Sequence, residues 1–127
     1  MRALLKNYKQ SPRKVRLVAD LIRGKSVPAA SVALMYLPKK SSHAVAKLLN
    51  SAVANARSTG TPPEKLFVQK ITVDKGSVLR RARPFARGRA GSIRKTMSII
   101  TLELGTGQKT ANRKQRTEEK PTRTRSQ

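Results

Sequence analysis

The sequence lacks cysteine and tryptophan altogether, and its 127 residues include a single histidine and only six acidic residues. Without cysteine the chain forms no disulfide framework and no thiolate metal site, which fits a reducing compartment. No apolar run approaches the roughly 18 residues that cross a bilayer, so a membrane-spanning segment is not expected. The first residues lack the apolar core of a signal peptide, and we expect the protein to stay in the cytoplasm.

The residues needed for catalysis are also missing. The one histidine, His43, has no neighbouring carboxylate, and among the acidic residues only Glu118 and Glu119 are adjacent. This pattern provides neither an acid–base pair nor a metal cluster. Residues 105–110 resemble a phosphate loop, but no glycine precedes the lysine and no helix is predicted to follow. We therefore expect no enzymatic activity, no cofactor and no bound metal.

Positive charge is what the sequence has in excess. Lysine and arginine number 29, which gives a formal net charge of +23. The hydrophobic fraction of 37% allows one domain with a small core. Self-repulsion on this scale destabilises a compact state unless a polyanion neutralises it. The composition therefore predicts a native complex with a dense array of phosphates.

Three helices are predicted in the first half of the chain. Ser11 and Pro12 supply an N-cap and a proline at the first helical position, and Gly24 ends the helix. A shorter helix is predicted over residues 29–37 and a longer one over residues 40–58, each from its apolar spacing. The alanines and serines of the third helix allow close approach to a neighbouring element.

Strand-forming residues dominate the second half. Residues 66–73 and 93–102 are rich in β-branched side chains and predict two antiparallel strands, and residues 3–8 predict a short third strand. The intervening residues 75–97 then form a hairpin whose arms, at ~3.3 Å per residue, extend about 35 Å. Such an arm reaches well outside a domain whose radius is about 14 Å.

These elements predict an α+β fold, in which three helices pack on a small antiparallel sheet that extends a long protruding β-hairpin. We expect an RNA-binding globular domain over residues 1–105, including the hairpin at residues 75–97. Residues 106–127 are basic without apolar periodicity, which predicts a disordered tail. For this tail, specific RNA contact and diffuse attraction remain open alternatives.

The hairpin has the most informative side chains, because no acidic residue occurs between Asp74 and Glu103. Guanidinium groups donate paired hydrogen bonds to phosphate and stack on exposed bases, which suits folded RNA. A solvated basic loop is the alternative, but so uncovered a hairpin is marginally stable in isolation. We predict RNA binding by Arg80, Arg81, Arg83, Arg87, Arg89, Arg94 and Lys95.

A second cationic patch lies on or just after the first helix. Its residues fall away from the apolar stripe and are predicted to bind phosphates. The alternative is an ordinary solvated helix face, on which Arg16 and Asp20 form an i,i+4 ion pair. The patch consists of Arg13, Lys14, Arg16, Arg23 and Lys25.

Three blocks of sequence resemble the bacterial large-subunit ribosomal protein L-twenty-two family, also called universal uL-twenty-two. They are SPRKVRLVADLIRGK at residues 11–25, SAVANA at residues 51–56 and RARPFARGRA at residues 81–90. The blocks occur in the family's order and spacing, and the resemblance covers about residues 2–105. Phe85 departs from the usual arginine, which suggests stacking on a base or packing at a wall. Ile99 likewise replaces a common histidine, and the tail is longer and more basic than is typical.

The resemblance implies a structural protein of the cytoplasmic large ribosomal subunit that binds its RNA and organises several RNA domains during assembly. It further implies a position near the exit of the peptide tunnel, with the hairpin passing inward beside ribosomal protein L-four. The hairpin tip would line the tunnel wall and face the nascent peptide or the macrolide-binding region. By resemblance, the tip comprises Arg83, Pro84, Phe85, Ala86, Arg87, Gly88 and Arg89.

Two other classes of protein compete with this interpretation. An architectural DNA-binding protein would insert a basic β-arm into the minor groove with Phe85 as an apolar wedge. Binding to duplex DNA that equals or exceeds binding to large-subunit RNA would favour that class. An enzyme acting on RNA is disfavoured by the missing acid–base pair, and metal-dependent cleavage would be its signature.

Overall fold

A computed structural model describes residues 1–107 of the chain, so the predicted tail from residue 108 onward lies outside the described residues. The elements are β1 (Arg2–Tyr8), α1 (Pro12–Ile22), α2 (Val27–Tyr36), α3 (Lys40–Ser58), β2 (Leu66–Pro84) and β3 (Ala90–Thr106), with 3-10 turns at Pro63–Lys65 and Ala86–Gly88. The three strands form one antiparallel sheet in the order β1-β3-β2. The predicted α+β fold class is confirmed.

Helix α1 follows its sequence signals closely. Ser11 has extended backbone angles at the N-cap and Pro12 occupies the first turn, where its missing N–H removes no helical hydrogen bond. The helix ends at Ile22, and Gly24 adopts a φ of +74°, the left-handed conformation that terminates many helices. The predicted apolar stripe is buried against the sheet.

The second helix differs from its prediction at both ends. It begins at Val27 and ends at Tyr36, whereas residues 29–37 were expected. The early start has a physical cause, since Pro28 sits in the first turn, where helices tolerate proline, and does not precede the helix. Helix α3 spans the predicted residues, 40–58.

The helices cover one face of the sheet and form a single core with it. Alternate residues of β2 and β3 point into this core, as period-two burial requires. Among the largest fully buried side chains are Ile22, Leu49, Leu66, Ile100, Leu102 and Leu104. The cationic side chains of α1 lie outside this apolar interior.

The two long strands extend from the core into a protruding arm, here defined as residues 76–97. Their pairing runs from Leu66 opposite Thr106 to Pro84 opposite Ala90. The strands therefore run from the two apolar segments through the predicted hairpin, because arginine-rich residues keep the backbone ladder although they add nothing to the core. Residues 81–90 are all exposed, as expected for an arm outside the domain.

Two β-bulges mark the level at which the arm leaves the core. Gly76 and Ser77 together face Met97, and on the other side of β3 the residues between Leu5 and Tyr8 interrupt the β1 register. A bulge bends its strand and increases the local twist. Because β1 ends at Tyr8, the arm beyond this level is a two-stranded ribbon.

Candidate nucleic-acid interface

One face of the arm brings two predicted RNA-binding residues together. Arg80 lies directly opposite Arg94, and the next pair on this face is Ala82 opposite Ser92. Like charges directly opposite one another destabilise an antiparallel pair. The small neighbouring side chains leave space above the ribbon, in a shallow depression that they line with Arg80. Arg81 also lines this depression and Arg94 does not, so an anion there would lie beside Arg80 and Arg81.

The other face mixes cations with exposed apolar side chains. Leu79 lies opposite Lys95, and Arg81 lies opposite Ile93. Leu79 and Ile93 are each 39% exposed. This face therefore presents both charge for phosphates and apolar surface for the flat faces of bases or for sugars.

A tight turn closes the tip of the arm. Arg87 and Gly88 have φ values of 59° and 69°, so two consecutive residues adopt the left-handed conformation. The backbone N–H of Phe85 donates to the carbonyl oxygen of Arg89 at 2.7 Å. The tip side chains from Arg83 to Arg89 are all exposed, which makes them available to surroundings outside the domain.

The cations of the patch on α1 fall into two groups, those that donate to strand β2 and those that do not. Arg16 donates from Nε and Nη2 to the carbonyl oxygen of Val73, at 3.2 and 3.0 Å. Arg23 donates from Nη2 to the carbonyl oxygen of Ile71 at 3.2 Å. Strand β2 lies at an edge of the sheet, so these side chains satisfy carbonyl groups that no further strand pairs. This structural role was not predicted.

Asp20 forms an ion pair with Arg23, with 3.0 Å between Oδ1 and Nη1. The alternative in which Asp20 pairs with Arg16 is therefore wrong, because Arg16 is turned toward β2. The other cations of the patch are exposed and stand on or just after the same helix: Arg13, Lys14 and Lys25.

A cavity of about 420 Å³ lies at the base of the arm and is called the base pocket below. It forms where the turn after β1, the start of α3 and the lower arm meet. It joins Lys14 of the helix patch to Arg94 and Lys95 of the arm. Its lining is Lys9, Gln10, Ser11, Lys14, Lys40, Arg94, Lys95, Thr96 and Met97.

Two cations of the base pocket, Lys9 and Lys40, were missed by the sequence interpretation. Each stands close to the start of a helix: Lys9 shortly before α1 and Lys40 at the first residue of α3. Their positions near helix N-termini, where the backbone itself attracts anions, were a signal that sequence alone offered. Only the folded chain shows that they share a cavity.

Hydrogen bonds to backbone carbonyl oxygens stabilise the wall of the base pocket. The hydroxyl of Tyr8 donates to the carbonyl oxygen of Lys40 at 3.3 Å, which ties β1 to α3. Burial raises the pKa of Tyr8 above its ordinary value of 10.0, so this donor stays protonated. The backbone N–H of Gln10 donates to the carbonyl oxygen of Tyr8 at 2.7 Å. The hydroxyl of the buried Ser98 donates to the carbonyl oxygen of Gln10.

Over residues 1–107, no three or more histidine, cysteine or acidic side chains cluster as a metal site would require. In that same range, no helix combines the length and the apolar character needed to cross a membrane. His43 is exposed in the first turn of α3.

Comparison with known proteins gives consistent matches. The family model described as Ribosomal protein L22p/L17e matches residues 3–105. The large ribosomal subunit protein uL22 of Rubrobacter xylanophilus is 49% identical over 106 residues, which are 83% of this chain and 84% of that protein. Its counterpart from Herpetosiphon aurantiacus is 47% identical over 108 residues, 84% of this chain and 96% of that protein. The Syntrophobacter fumaroxidans counterpart is 51% identical over 105 residues, with coverage of 82% and 96%.

Proposed function

Because the chain belongs to the Ribosomal protein L22p/L17e family, we propose that its arm and helix patch bind large-subunit ribosomal RNA. The resemblance found in the sequence is thereby confirmed. The protein is a structural constituent of the large ribosomal subunit in the cytoplasm, and it is not an enzyme. The finer proposal concerns which residues meet the RNA and what the tip does.

The observation that carries RNA binding is the opposed pair of Arg80 and Arg94 on an arm without acidic side chains. The repulsion within this ribbon is relieved when phosphates lie between and around the guanidinium groups. RNA supplies phosphates for these guanidinium groups together with bases for the apolar face. The arm meets the helix patch at the base pocket and extends about 30 Å from the core at ~3.3 Å per residue, which supports contact with more than one RNA segment and hence a role in organising RNA domains.

The proposed RNA-binding residues include all cations predicted from the sequence, with a distinction between two groups. Arg16 and Arg23 already donate to carbonyl oxygens of β2, so they would reach RNA only with their remaining N–H groups. The others carry exposed charges and donate no hydrogen bond to Ile71 or Val73, although Arg81 donates from Nη1 to the carbonyl oxygen of its neighbour Arg80 at 2.9 Å. These are Arg13, Lys14, Lys25, Arg80, Arg81, Arg83, Arg87, Arg89, Arg94 and Lys95.

For the tip we propose a place in the wall of the peptide tunnel, beside ribosomal protein L-four and in contact with the nascent peptide. Two features support this placement, the length of the arm and the exposure of the side chains at its tip. From Gly76 to Pro84 the arm extends about 30 Å at ~3.3 Å per residue, and its last residues have no contact with the core. The chain has no cysteine, so Ala86→Cys provides a unique crosslinking site. A crosslink to a nascent peptide in reconstituted ribosomes is expected, and a crosslink to RNA alone would contradict the tip assignment.

Filter-binding titration against large-subunit RNA tests the RNA interface. Replacement of Arg80, Arg81, Arg87 and Arg89 by alanine is expected to weaken binding and to reduce the salt dependence by roughly 0.7–0.9 per lost phosphate contact. A control with equal charge loss outside the proposed interface replaces Lys47, Arg57, Lys65 and Lys70. Unchanged affinity and slope in the arm variant, or equal losses in both variants, would reject the assignment.

The same titration separates RNA binding from an architectural role on DNA. The tip offers Phe85 as an exposed apolar side chain, which is the feature that a minor-groove wedge needs. Competition between duplex DNA and large-subunit RNA fragments is expected to favour RNA. Equal or stronger binding to DNA would favour the architectural function.

A further inference from the structure

We propose that the free edge of strand β1, with an apolar cavity beside it, binds an extended segment of another protein, which adds a strand to the sheet. The segment has apolar side chains in its middle and an acidic side chain at each end. None of the cations proposed to bind RNA lines this cavity. The surface is therefore distinct from the RNA interface.

The backbone of β1 offers hydrogen-bonding groups at the edge of the sheet. Strand β1 is the outermost strand on its side, and Met1 and Leu104 exchange two backbone hydrogen bonds, at 2.8 and 3.0 Å. Because such bonds alternate between the two sides of an antiparallel strand, the N–H and C=O of Leu4 point away from β3. Arg2 agrees with this alternation, since its carbonyl oxygen accepts from Nδ2 of Asn55 at 3.2 Å. Leu4 thus presents one donor and one acceptor to an added strand.

A cavity of about 290 Å³ lies beside this edge, between β1 and α3, and is called the edge cavity below. Leu4, which lines it, is 45% exposed, and Lys47 is the one charged residue of the lining. An apolar side chain fits such a lining better than a phosphate does. Alternate side chains of a strand point to opposite faces, so every second residue of an added strand can reach the α3 side of the sheet. The lining is Leu4, Leu5, Tyr8, Ala44, Lys47, Leu48 and Ser51.

The charges on β1 favour an acidic partner over a second copy of this chain. Arg2 and Lys6 are exposed on either side of Leu4. Antiparallel pairing of two β1 strands about Leu4 would place Arg2 of each copy opposite Lys6 of the other, and like charges directly opposite destabilise a pair. The net charge of +23 also opposes self-association. A segment with acidic residues at these two positions would instead gain two opposite-charge pairs.

The sequence Glu-Val-Leu-Val-Glu meets these requirements and serves as the probe, with both ends blocked. In antiparallel register its leucine lies opposite Leu4 and exchanges two backbone hydrogen bonds with it. Its glutamates then lie opposite Arg2 and Lys6. The valine opposite Leu5 points to the same face as Leu5, where the edge cavity lies.

NMR titration of the isotope-labelled full chain measures binding of the probe, at a salt concentration of about 0.3 M that screens diffuse attraction to the arm. Two N-methylated versions of the probe carry the same charge. Methylation at the leucine removes the donor to Leu4 and is expected to weaken binding about 2- to 10-fold. Methylation at the next valine alters an N–H that points away from β1 and is expected to leave the affinity unchanged.

A pair of variants tests the edge cavity. Ser51→Phe fills it from an exposed position of α3, and Ser31→Phe makes the same change at an exposed position of α2 outside the lining. Ser51→Phe is expected to weaken binding of the probe about 10- to 100-fold, because an apolar side chain loses its buried site. Ser31→Phe should bind the probe as the wild type does. Both variants should keep their affinity for large-subunit RNA.

Several results would overturn the proposal without affecting RNA binding by the arm. These are absence of binding of the probe, equal binding of the two methylated probes, and equal binding of the probe by Ser51→Phe and Ser31→Phe. A shift of the Leu4 amide resonance with the concentration of the free chain would identify a second copy as the occupant. A shift of that resonance with a uridine hexamer, and none with the probe, would identify RNA as the occupant.

Discussion

The aromatic ring of Phe85 occupies the space directly above Gly91. A methyl group placed on Gly91 would lie 2.0 Å from Cε2 and 2.8 Å from Cδ2 of the ring, closer than atoms approach without displacement. The ring is nevertheless 61% exposed. Ring packing and the hydrogen bond from Phe85 to Arg89 together fix the shape of the tip, and the exposed part of the ring stays available for the predicted stacking on a base.

Gly91→Ala is expected to displace the Phe85 ring and to change the backbone of the tip. The thermal unfolding midpoint should stay close to that of the wild type, because the tip lies outside the core. NMR checks both expectations through ring contacts to residue 91 and through the amide shifts of residues 84–92. In a Phe85→Ala background the same substitution should have almost no effect, since the obstructing ring is gone. Identical tip spectra of Gly91→Ala and the wild type would contradict this packing.

Because Arg80 lies opposite Arg94, we expect Arg80 to destabilise the free arm and to strengthen its binding to RNA. Arg80→Thr removes the like-charge pair and is expected to stabilise the free arm by about 0.2–1 kcal/mol, seen as slower amide hydrogen exchange in residues 78–96. The same variant should bind large-subunit RNA more weakly, because a phosphate contact is lost.

Arg83→Thr is the control for this expectation, since Arg83 lies opposite Gly91 and faces no opposed charge. It should lose RNA affinity without the gain in arm order. If Arg80→Thr exchanged no more slowly than Arg83→Thr, repulsion across the ribbon would not limit the stability of the arm.

Arg13 and Arg16, on the same helix, are expected to differ in what they contribute. Arg16→Met removes two hydrogen bonds to Val73 and should lower the free energy of unfolding by about 0.5–1.5 kcal/mol. Arg13→Met should change it by less than about 0.5 kcal/mol, as exposed substitutions usually do, and should weaken RNA binding more than Arg16→Met does. Urea unfolding and filter binding provide the two measurements. Equal stability of the two variants would remove the structural role of Arg16.

The local patterns of the sequence were sufficient for the elements near the core. Proline and glycine placed the ends of α1, and apolar spacing placed α3, because these signals act within a few residues. The start of α2 was misplaced because proline occurs both just before helices and in their first turn, and the local sequence does not distinguish the two positions for Pro28. The length of the arm was predictable although its strands carry little apolar pattern, because two strand-forming segments that pair antiparallel bring the residues between them into one hairpin.

The candidate site was only partly predictable because its chemistry depends on contacts between distant residues. The charge of the arm was evident, since its cations are adjacent in sequence. The use of Arg16 and Arg23 at the edge of β2 requires knowing which strand lies beside α1, more than 45 residues away along the chain. The base pocket likewise joins Lys9 and Lys40 to Lys95 through the fold.

The close approach predicted for α3 is confirmed at Ala52 and Ala56, both of which have no exposed surface. The cluster around them includes side chains of the other helices and of the sheet, so a larger residue would have to displace closely packed neighbours. Ala52→Leu is therefore expected to lower the free energy of unfolding by about 1–3 kcal/mol through overpacking. Ala54→Leu, an exposed position of the same helix, should change it by less than about 0.5 kcal/mol. Urea unfolding with unchanged m-values makes the comparison, and equal stability of the two variants would mean that α3 has room for a leucine at this contact.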